Sequence, residues 1–295
     1  MSRPADISIV TVNWKVADLI GELLGSIHAN KEDLALEVYV VDNDSGDHIE
    51  DVVAKFRARS DVPVTLIRND RNLGFAKANN QAIRRCSGRI VALLNPDTRL
   101  TKGALKRMLD WMQARPDVGI AGPKLLNPDG SLQESVRRFP GLIDQALILL
   151  KFHHLWPSAP PFRKYLAKDF VYDQEQDVDQ LMGAALFVRR KVFEGIGLLD
   201  ERFFIWFEEV DFCRRAKAAG WGVVYVPSVQ VVHHGGASFA QAMTLKKQRY
   251  FTASMGTYFR KHRGAWTLLV LALPMLIGLL ASAILSLWKS VHAKR

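Results

Sequence analysis

The first part of the chain alternates short apolar runs with stretches in which apolar residues recur every three or four positions. Short apolar runs bounded by polar residues predict buried strands, and the wider spacing predicts amphipathic helices. The predicted strands cover residues 7–14, 36–41, 64–67, 90–94 and 118–121; the predicted helices cover 16–27, 75–86 and 101–115, with a polar helix before the third strand. This alternation indicates an α/β fold, with a mainly parallel, Rossmann-like sheet covered by helices on both faces.

The pattern changes in the middle of the chain. Residues 142–161 form an apolar cluster and a proline-rich turn, which we interpret as an amphipathic helix in a variable insertion, either lipid-facing or part of the core. The earlier pattern then resumes, with a strand at 184–188, a helix at 209–219, and a strand pair that is broken by Pro227 and ends at His233. In such sheets ligands bind beyond the carboxyl ends of the strands, where the polar clusters of this chain lie.

A long uncharged segment lies near the C-terminus. The 25 residues from Gly264 to Trp288 include no charged side chain. At about 1.5 Å per residue, they can cross a hydrocarbon core of about 30 Å. Lys and Arg residues flank the segment, and Trp266 and Trp288 lie where the two membrane interfaces would be. We expect a membrane anchor in which Pro274 kinks a spanning helix or turns a re-entrant hairpin; the alternative is a buried helix of a water-soluble core.

The composition is that of a globular protein, with 48% apolar and 24% charged residues. The two cysteines, Cys86 and Cys213, are far apart in the chain, which argues against a zinc ribbon or a disulfide framework and favours a reducing compartment. No apolar signal-peptide segment precedes the first predicted strand, so we expect the body of the protein to face the cytoplasm.

The net charge of +10 is unevenly distributed. Through Asp211 the chain has 28 Lys and Arg against 30 Asp and Glu, whereas the 84 residues after it have 12 Lys and Arg and no carboxylate. A basic C-terminal region predicts attraction to an anionic surface, either nucleic acid or lipid headgroups. Because the apolar segment lies in the same region, we expect an anionic membrane as a partner and no nucleic acid.

Two polar clusters are candidates for binding a nucleotide. Asp42 and Asp44 follow the second strand, where a carboxylate can accept hydrogen bonds from a base or ribose, although these residues could form only an Asx turn. Gly74 precedes a helix, and backbone N–H groups at a helix start attract phosphate. The chain has neither a P-loop nor a GxGxxG motif, which argues against an ATPase or a dinucleotide-dependent oxidoreductase.

A third cluster, Asn95-Pro96-Asp97, follows the fourth strand. A carboxylate at the mouth of a parallel sheet can hold Mg²⁺ or Mn²⁺, and Mg²⁺ usually keeps several waters and bridges to substrate phosphates. The alternative is that Asp97 only shapes the turn. His233 closes the last strand and offers an imidazole as a further metal ligand or phosphate contact.

The fourth cluster places Glu208, Glu209 and Asp211 among aromatic residues. Neighbouring carboxylates in apolar surroundings have raised pKa values, which suits one of them to act as a general base. Alternatively, the three acids only stabilise the N-terminal turn of a helix.

The order of these motifs resembles that of family 2 glycosyltransferases of the inverting GT-A fold, and among them the bacterial rhamnosyltransferase-like branch. The segments that carry the resemblance, over roughly residues 5–240, are VVDNDSGD, RNDRNLGFAKANNQAI, LLNPDT, GAALFVRR, GLLDERFFIWFEEVDFCRR, GW and HHGGAS. The resemblance implies transfer of a sugar from a nucleotide diphosphate donor, with inversion at the anomeric carbon and with Mg²⁺ or Mn²⁺ as cofactor.

The resemblance also implies roles for individual residues. Asp97 and His233 would hold the metal, and Asn95 stands where the family has the first acid of its DXD-type motif, which leaves a single carboxylate there. The residues implied in binding the nucleotide sugar are Thr11, Asn13, Asp42, Asp44, Gly74, Asn79, Asn95 and Asp97.

The catalytic base implied by the resemblance is Glu209, paired with Glu208, and Asp211 is the second choice. Trp206 would contact the acceptor. The cations implied in stabilising the departing diphosphate are Arg214 and Arg215.

We expect a glycosyltransferase domain over residues 1–240, with a nucleotide-sugar half to about residue 125 and an acceptor half after it. A basic amphipathic, membrane-proximal helix would cover 241–263, the transmembrane or re-entrant segment 264–288, and a basic tail 289–295.

The family branch points to L-rhamnose from dTDP-rhamnose, with UDP and GDP sugars open. The acceptor would be a polyprenyl-diphosphate-linked saccharide at the cytoplasmic membrane, in the assembly of bacterial O-antigen, cell wall or exopolysaccharide. Two other classes stay open: a nucleotidyltransferase that makes a nucleotide sugar, and a non-catalytic, membrane-anchored scaffold that binds one.

Overall fold

A computed structural model describes residues 4–235 and 244–292, with side chains described for 4–235 and 245–286. The strands are β1 (Ile7–Asn13), β2 (Leu36–Asp42), β3 (Val64–Arg68), β4 (Ile90–Leu94), β5 (Thr98–Leu100), β6 (Val118–Leu126), β7 (Leu132–Gln133), β8 (Val136–Arg137), β9 (Gln176–Asp177), β10 (Gln180–Leu181), β11 (Ala185–Arg189) and β12 (Gly222–His233). The helices are α1 (Ala17–Ala29), α2 (Ile49–Arg57), α3 (Phe75–Ile83), α4 (Ala104–Gln113), α5 (Leu142–Leu149), α6 (Phe152–Leu155), α7 (Pro160–Tyr165), α8 (Arg190–Ile196), α9 (Glu208–Ala218), α10 (Thr244–Arg263) and α11 (Trp266–His292).

The central sheet has the strand order β3-β2-β1-β4-β11-β6-β12-β5, with β7 on β6 and β9 on β12. β1 is parallel to β2 and β4, and β6 is parallel to β12. Two strands of this path run in the opposite direction: β11 is antiparallel to β4 and β6, and β5 is antiparallel to β12. The described sheet is therefore mainly parallel, as the sequence predicts. Because β11 runs the other way, its amino end lies beside the carboxyl ends of its neighbours.

Side chains of the sheet alternate between two cores on its opposite faces. In β1, Ile7 and Ile9 belong to a core with α1, α2 and α4, whereas Val10 and Val12 belong to a core with α3, α8 and α9. Helices cover both faces, so the strand is buried on both sides and its sequence reads as a continuous apolar run. The predicted layering is confirmed.

Two predictions of local structure are wrong. Residues 142–161 form the separate short helices α5 and α6 and the start of α7, rather than one amphipathic helix. The predicted strand pair around Pro227 is one strand, β12, whose pairing with β6 is interrupted between Val226 and Gln230. Proline has no N–H to donate, so an interruption of the hydrogen-bond ladder accommodates it.

The helices α10 and α11 form an antiparallel hairpin that turns at Gly264 and Ala265. At its open end, the backbone N–H of Leu245 donates to Oγ of Ser286 at 3.1 Å. Pro274 lies inside α11 and does not turn the chain. Within the part of the chain that the structure describes, residues 266–286 are long and apolar enough to cross a membrane, by length and composition.

Parts of the sequence-based predictions lie outside the described residues. These are the end of the HHGGAS motif, the first residues of the predicted membrane-proximal helix, the side chain of Trp288, and the last three residues of the tail.

The hairpin is attached to the main domain through a third core. Phe203, Phe207 and Val210, at and before the start of α9, pack with Tyr258 of α10 and Leu271 of α11. In addition, Oγ of Ser254 in α10 donates to the backbone carbonyl of Ile205 at 2.7 Å. The hairpin therefore rests on the segment that holds the fourth polar cluster of the sequence.

Candidate active site

A cavity of about 890 Å³ opens at the carboxyl ends of β1, β4 and β12 and at the amino end of β11. The residues that follow β2, the first turns of α3 and α9, and α10 complete its wall. The candidate residues that line it are Asp44, Gly74, Asn95, Asp97, Trp206, Glu208, Glu209 and His233. Residues from both predicted halves of the domain thus meet in one cavity.

Glu208 and Glu209 form the first turn of α9 and line the cavity. Trp206 and Phe207, immediately before them, both have left-handed backbone conformations, with φ of 63° and 68°. Such conformations are unfavourable for side chains of this size and are concentrated at functional sites. The tight turn lets two successive glutamates start the helix at the cavity wall.

Neither glutamate is fully hydrogen-bonded, since Oε2 of each is buried without a partner. Burial raises the pKa of Glu208 well above its usual value, and the neighbouring Glu209 charge raises it further. Burial also raises the pKa of Glu209, although hydrogen bonds from backbone N–H groups oppose the change. A carboxylate with a raised pKa and an open lone pair facing a cavity is suited to accept a proton from a bound hydroxyl.

Asp97 and His233 bring together the ends of β4 and β12. Nε2 of His233 lies 3.4 Å from Oδ1 of Asp97, and both side chains are buried. The amide of Gln133 donates to the carbonyls of Asn127 and His233, so its Oε1 is left to accept from Nδ1 of His233 at 2.6 Å. Gln133 therefore orients the imidazole so that Nε2 points towards Asp97.

This pair fits a divalent metal that keeps other ligands. No group of three or more His, Cys, Asp and Glu side chains within the described residues could hold an ion by itself. A carboxylate oxygen suits Mg²⁺ or Mn²⁺, whereas an imidazole nitrogen suits transition metals, so the pair fits Mn²⁺ better than Mg²⁺; the remaining positions of such an ion would be filled by water and substrate phosphates. Apart from its approach to Asp97, the buried Nε2 of His233 makes no hydrogen bond, which is consistent with that use.

A network around Asn13 builds the end of the cavity next to β2. Its side-chain amide donates to Asp42 and Ser45, both at 3.0 Å, and to Asp47. These hydrogen bonds hold the loop after β2 in place. Asn13 and Asp42 are therefore buried behind the cavity wall, whereas Asn43 and Asp44 line the cavity.

Gly74 joins this end of the cavity to the segment before α9. The backbone N–H of Phe75 donates to the carbonyl of Phe204 at 2.7 Å. A Cβ atom on Gly74 would collide with that same carbonyl, and the residue has φ of 84°. Only glycine allows this close approach of the two loops.

Several sequence-based candidates lie away from the cavity. Thr11 is buried in β1, and the amide of Asn79 donates to the Phe75 carbonyl within α3. Arg214 donates to the Tyr258 hydroxyl at 2.9 Å, so it contacts the hairpin. Arg215 donates to Asp211 at 2.8 Å and to the carbonyls of Ile196 and Leu198.

Asp211 is fully buried and accepts hydrogen bonds from three basic side chains. Its partners are Arg215 at 2.8 Å, Lys261 at 2.6 Å and His262 at 2.7 Å. Burial raises the pKa of Asp211, but the hydrogen bonds from these three residues outweigh burial and lower it. A carboxylate held in this way is a poor base, and its contacts attach α10 to α9. The geometry thus corrects its assignment as second-choice base, and that of Arg214 and Arg215 as diphosphate ligands.

The structure adds cavity residues that the sequence-based analysis missed. Three are cations, namely Lys15, Arg137 and Lys246. Tyr250 and Phe251 of α10 complete the apolar part of the wall, where Phe251 lies 6.0 Å from Trp206, ring centre to ring centre. Lys15 follows the first predicted strand, which is the position where such folds bind ligands. No local signal marked Arg137, Lys246, Tyr250 or Phe251, because distant segments bring them to the cavity.

Comparison with known proteins identifies the family. Residues 8–171, more than half of the chain, match the family model described as glycosyl transferase family 2. The chain belongs to glycosyl transferase family 2. It is a glycosyltransferase, as the motif order implied.

Two curated relatives are rhamnosyltransferases. The chain is 31% identical over 216 residues to the N-acetylglucosaminyl-diphospho-decaprenol L-rhamnosyltransferase of Mycobacterium tuberculosis, covering 69% of each protein. It is 25% identical over 199 residues to the dTDP-rhamnosyl transferase RfbF of Shigella flexneri, covering 66% of this chain and 59% of that protein.

Solved structures share the GT-A fold with this glycosyltransferase. The mannosyltransferase PcManGT from Pyrobaculum calidifontis, in complex with GDP-Man and Mn²⁺, matches 99% of this chain and 76% of its own, with a TM-score of 0.60 and 18% identity. TarS of S. aureus in complex with UDP-GlcNAc matches 90% of this chain and 70% of its own, with a TM-score of 0.54 and 16% identity. The predicted fold class is confirmed.

Proposed function

We propose that this glycosyltransferase moves L-rhamnose from dTDP-rhamnose to a polyprenyl-diphosphate-linked saccharide, with inversion at the anomeric carbon. The activity for which the Shigella relative is named supports this donor, and the activity for which the mycobacterial relative is named supports a lipid-linked acceptor. UDP and GDP sugars are the competing donors, since solved proteins of this fold bind them.

The observation that carries the proposal is the placement of two unlike groups in one cavity. Glu208 and Glu209 stand at the start of α9 with unpartnered oxygens, and Asp97 and His233 stand at the strand ends. A nucleotide diphosphate near Asp97 and His233 would direct its sugar towards the glutamates. Attack by an acceptor hydroxyl from the glutamate side would invert the anomeric carbon.

Glu209 acts as the base in this proposal. As the acceptor oxygen bonds to the anomeric carbon, Glu209 takes its proton, and the bond from that carbon to the diphosphate oxygen breaks. A bound Mn²⁺ or Mg²⁺ would supply positive charge near the departing diphosphate. Lys15 and Arg137 replace Arg214 and Arg215 as the cations that stabilise the diphosphate, because they line the cavity.

Trp206, Tyr250 and Phe251 form an apolar rim of the cavity. We propose that the acceptor enters past this rim. Aromatic rings of this kind stack on the apolar faces of sugars and contact lipid chains. The basic C-terminal region and the apolar α11 favour attachment to the cytoplasmic membrane, with the catalytic domain on the cytoplasmic side and no role for nucleic acid. Residues 1–240 form the glycosyltransferase domain, and the hairpin forms the attachment.

A donor screen tests the proposal on full-length protein in detergent with Mn²⁺ or Mg²⁺. Release of nucleoside diphosphate is measured from dTDP-, UDP- and GDP-sugars, with and without a polyprenyl-diphosphate-linked saccharide. We expect release from dTDP-rhamnose only when both metal and acceptor are present, and none from Glu209→Gln.

The other outcomes are distinct. Release from a UDP or GDP sugar replaces the donor but keeps the reaction. Release of inorganic pyrophosphate would identify a nucleotidyltransferase, and nucleotide binding without any release would identify a non-catalytic scaffold.

A further inference from the structure

The helix α11 exposes its large apolar side chains and buries small and hydroxyl-bearing ones, which is the reverse of a helix on a water-soluble protein. Thr267, Leu271, Gly278 and Ser282 face the protein and are buried. The outward face carries large apolar side chains with high exposure, namely Leu269 (82%), Leu273 (64%), Leu276 (54%), Leu280 (55%) and Ile284 (68%). Water-soluble helices direct such residues inward. Small and hydroxyl-bearing residues at the helix contact, with large apolar residues outside, are typical of helices that touch lipid.

The hairpin geometry prevents hydrocarbon from surrounding α11. Leu245 contacts Ser286 at one end, and a Cβ atom on Gly256 would lie 3.5 Å from Met275 in the middle, so α10 lies along α11. On its other side α10 is attached to the catalytic domain, for example through Ser254. A spanning α11 would take α10 into the hydrocarbon with it, including the charged side chains of Lys247 and Arg249, and charged side chains are costly there. With 27 residues, α11 is about 40 Å long, and α10 and the domain accompany most of that length.

A second apolar surface adjoins α11. Helix α5 packs on α11 so closely that a Cβ atom on Gly278 would lie 3.0 Å from the carbonyl oxygen of Leu149. The exposed apolar side chains of α5, α6 and the residue after α6 are Ile143 (70%), Phe152 (45%), Leu155 (80%) and Trp156 (60%). Together with the outward face of α11, they expose more apolar surface than the scattered apolar residues of an ordinary protein surface do.

The positive charge around these helices indicates what binds to this apolar surface. Residues 212–295 include no carboxylate. Arg249, Arg260 and Arg263 on α10 are exposed, so positive charge borders the apolar face of α11. An apolar face bordered by cations matches a bilayer with anionic headgroups.

We infer that α11 lies in the plane of an anionic membrane, with its outward face and the exposed residues of α5 and α6 inserted into one leaflet, and that it does not cross the bilayer. This inference rests on the membrane attachment proposed above. The helix beside it, α10, contributes Lys246, Tyr250 and Phe251 to the cavity wall. The cavity therefore lies next to the membrane surface, where the diphosphate and first sugars of a lipid-linked acceptor are found.

Depth measurements along α11 test the inference. The variants Leu269→Cys, Leu276→Cys and Ile284→Cys of the full chain are labelled with NBD and bound to phosphatidylglycerol–phosphatidylethanolamine vesicles that contain nitroxide lipids of known depth. The native cysteines are both buried. We expect the three labels to report one shallow depth, roughly 5–10 Å below the headgroups. Ala54→Cys, exposed on α2 at the opposite face of the sheet, is the control and should show no quenching.

Each of the other possible results would contradict a specific part of the inference. A label at Leu276 much deeper than labels at Leu269 and Ile284 would show a spanning helix and refute the in-plane arrangement, while membrane attachment stands. Failure of the protein to float with vesicles would refute attachment itself. A dimer that shields the labels without lipid would assign the face to a second copy of this chain. None of these results bears on the donor screen in detergent.

A pair of variants measures the contribution of the outward face. Leu273→Gln combined with Leu280→Gln should lower vesicle affinity at least about tenfold, since each leucine loses its apolar burial. Ala54→Gln should leave vesicle affinity unchanged. Equal affinity of the double variant and the native protein would contradict insertion of this face.

Discussion

Nε2 of His233 lies 3.4 Å from Oδ1 of Asp97, although 136 positions separate these residues in the chain. Gln133 orients the imidazole through Nδ1, so Nε2 and the carboxylate of Asp97 converge at the cavity. A metal ligand and its orienting partner are usually arranged in this way.

Replacement of His233 is expected to weaken metal use. His233→Ala removes one of the two protein ligands proposed, so the Mn²⁺ concentration for half-maximal turnover should rise at least about tenfold. His48→Ala is the control, since His48 lies on the surface beside Asp18. An unchanged Mn²⁺ requirement in His233→Ala would remove this residue from the metal site.

Glu209→Gln is expected to retain donor binding but to lower turnover by roughly 10²–10⁴, because the amide cannot accept the acceptor proton. Glu194→Gln, an exposed glutamate of α8, should turn over like the native protein. Donor affinity from calorimetry and turnover from nucleoside diphosphate release separate binding from chemistry. Turnover near the native rate would exclude Glu209 as the base.

Glu208→Gln is expected to stabilise the protein at neutral pH. The folded state raises the pKa of Glu208 above its unfolded value, so the native protein loses stability as the pH rises from the unfolded pKa to the folded pKa, and the loss is complete above the folded pKa. The native protein should therefore lose stability relative to the variant as pH rises above about 4.3, the usual Glu pKa. Thermal unfolding from pH 4 to 8 measures this difference, and a constant difference would contradict the raised pKa.

Asp211→Asn is expected to destabilise the protein by about 3–5 kcal/mol, because Lys261, His262 and Arg215 lose the buried carboxylate that pairs with them. The Asp211 pKa is lowered on folding, so its stabilisation is present above about pH 4 and declines as the pH falls through the lowered pKa.

Urea unfolding at pH 7 and pH 3 checks both statements about Asp211. The control is Asp61→Asn, which breaks the exposed ion pair with Lys31 and should leave stability close to that of the native protein. If Asp211→Asn folded stably but lost all turnover, Asp211 would be a catalytic group rather than a link to α10.

Gly74→Ala is expected to lower both stability and donor affinity, because its Cβ atom would separate the loop before α3 from Phe204. Gly130→Ala is a matched control: both glycines have φ of 84°, but the added Cβ at Gly130 meets no atom within 4 Å. The control should lose only about 1–2 kcal/mol from the backbone conformation. Equal losses in the two variants would show that the Phe204 contact is unimportant.

Much of the fold was determined by the sequence by itself. The apolar runs and the helical spacing specify β1 to β4 and α1 to α4, because the burial of one or both faces of an element sets the spacing of apolar residues along the chain. The residues after the strands pointed to the cavity for the same reason, since parallel strands end at a common edge. The motif order then implied the family.

Only the tertiary structure decided which candidate side chains meet. Asp211 is two positions after Glu209, and successive helix residues turn by about 100°, so the two acids face different sides of α9. The spacing of Asp211 and Arg215 was a local signal for their pairing. However, Lys261 and His262 reach Asp211 from about 50 positions away, which no local pattern encodes.

The tertiary structure likewise decided how the C-terminal segment is arranged. Its sequence is apolar on every side, so hydropathy alone marks it as able to contact lipid but specifies no orientation. Packing against α10 and α5 determines which face is buried, and those contacts depend on the assembled domain. The sequence therefore determined the chemistry available to this protein, and long-range packing decided where each group acts.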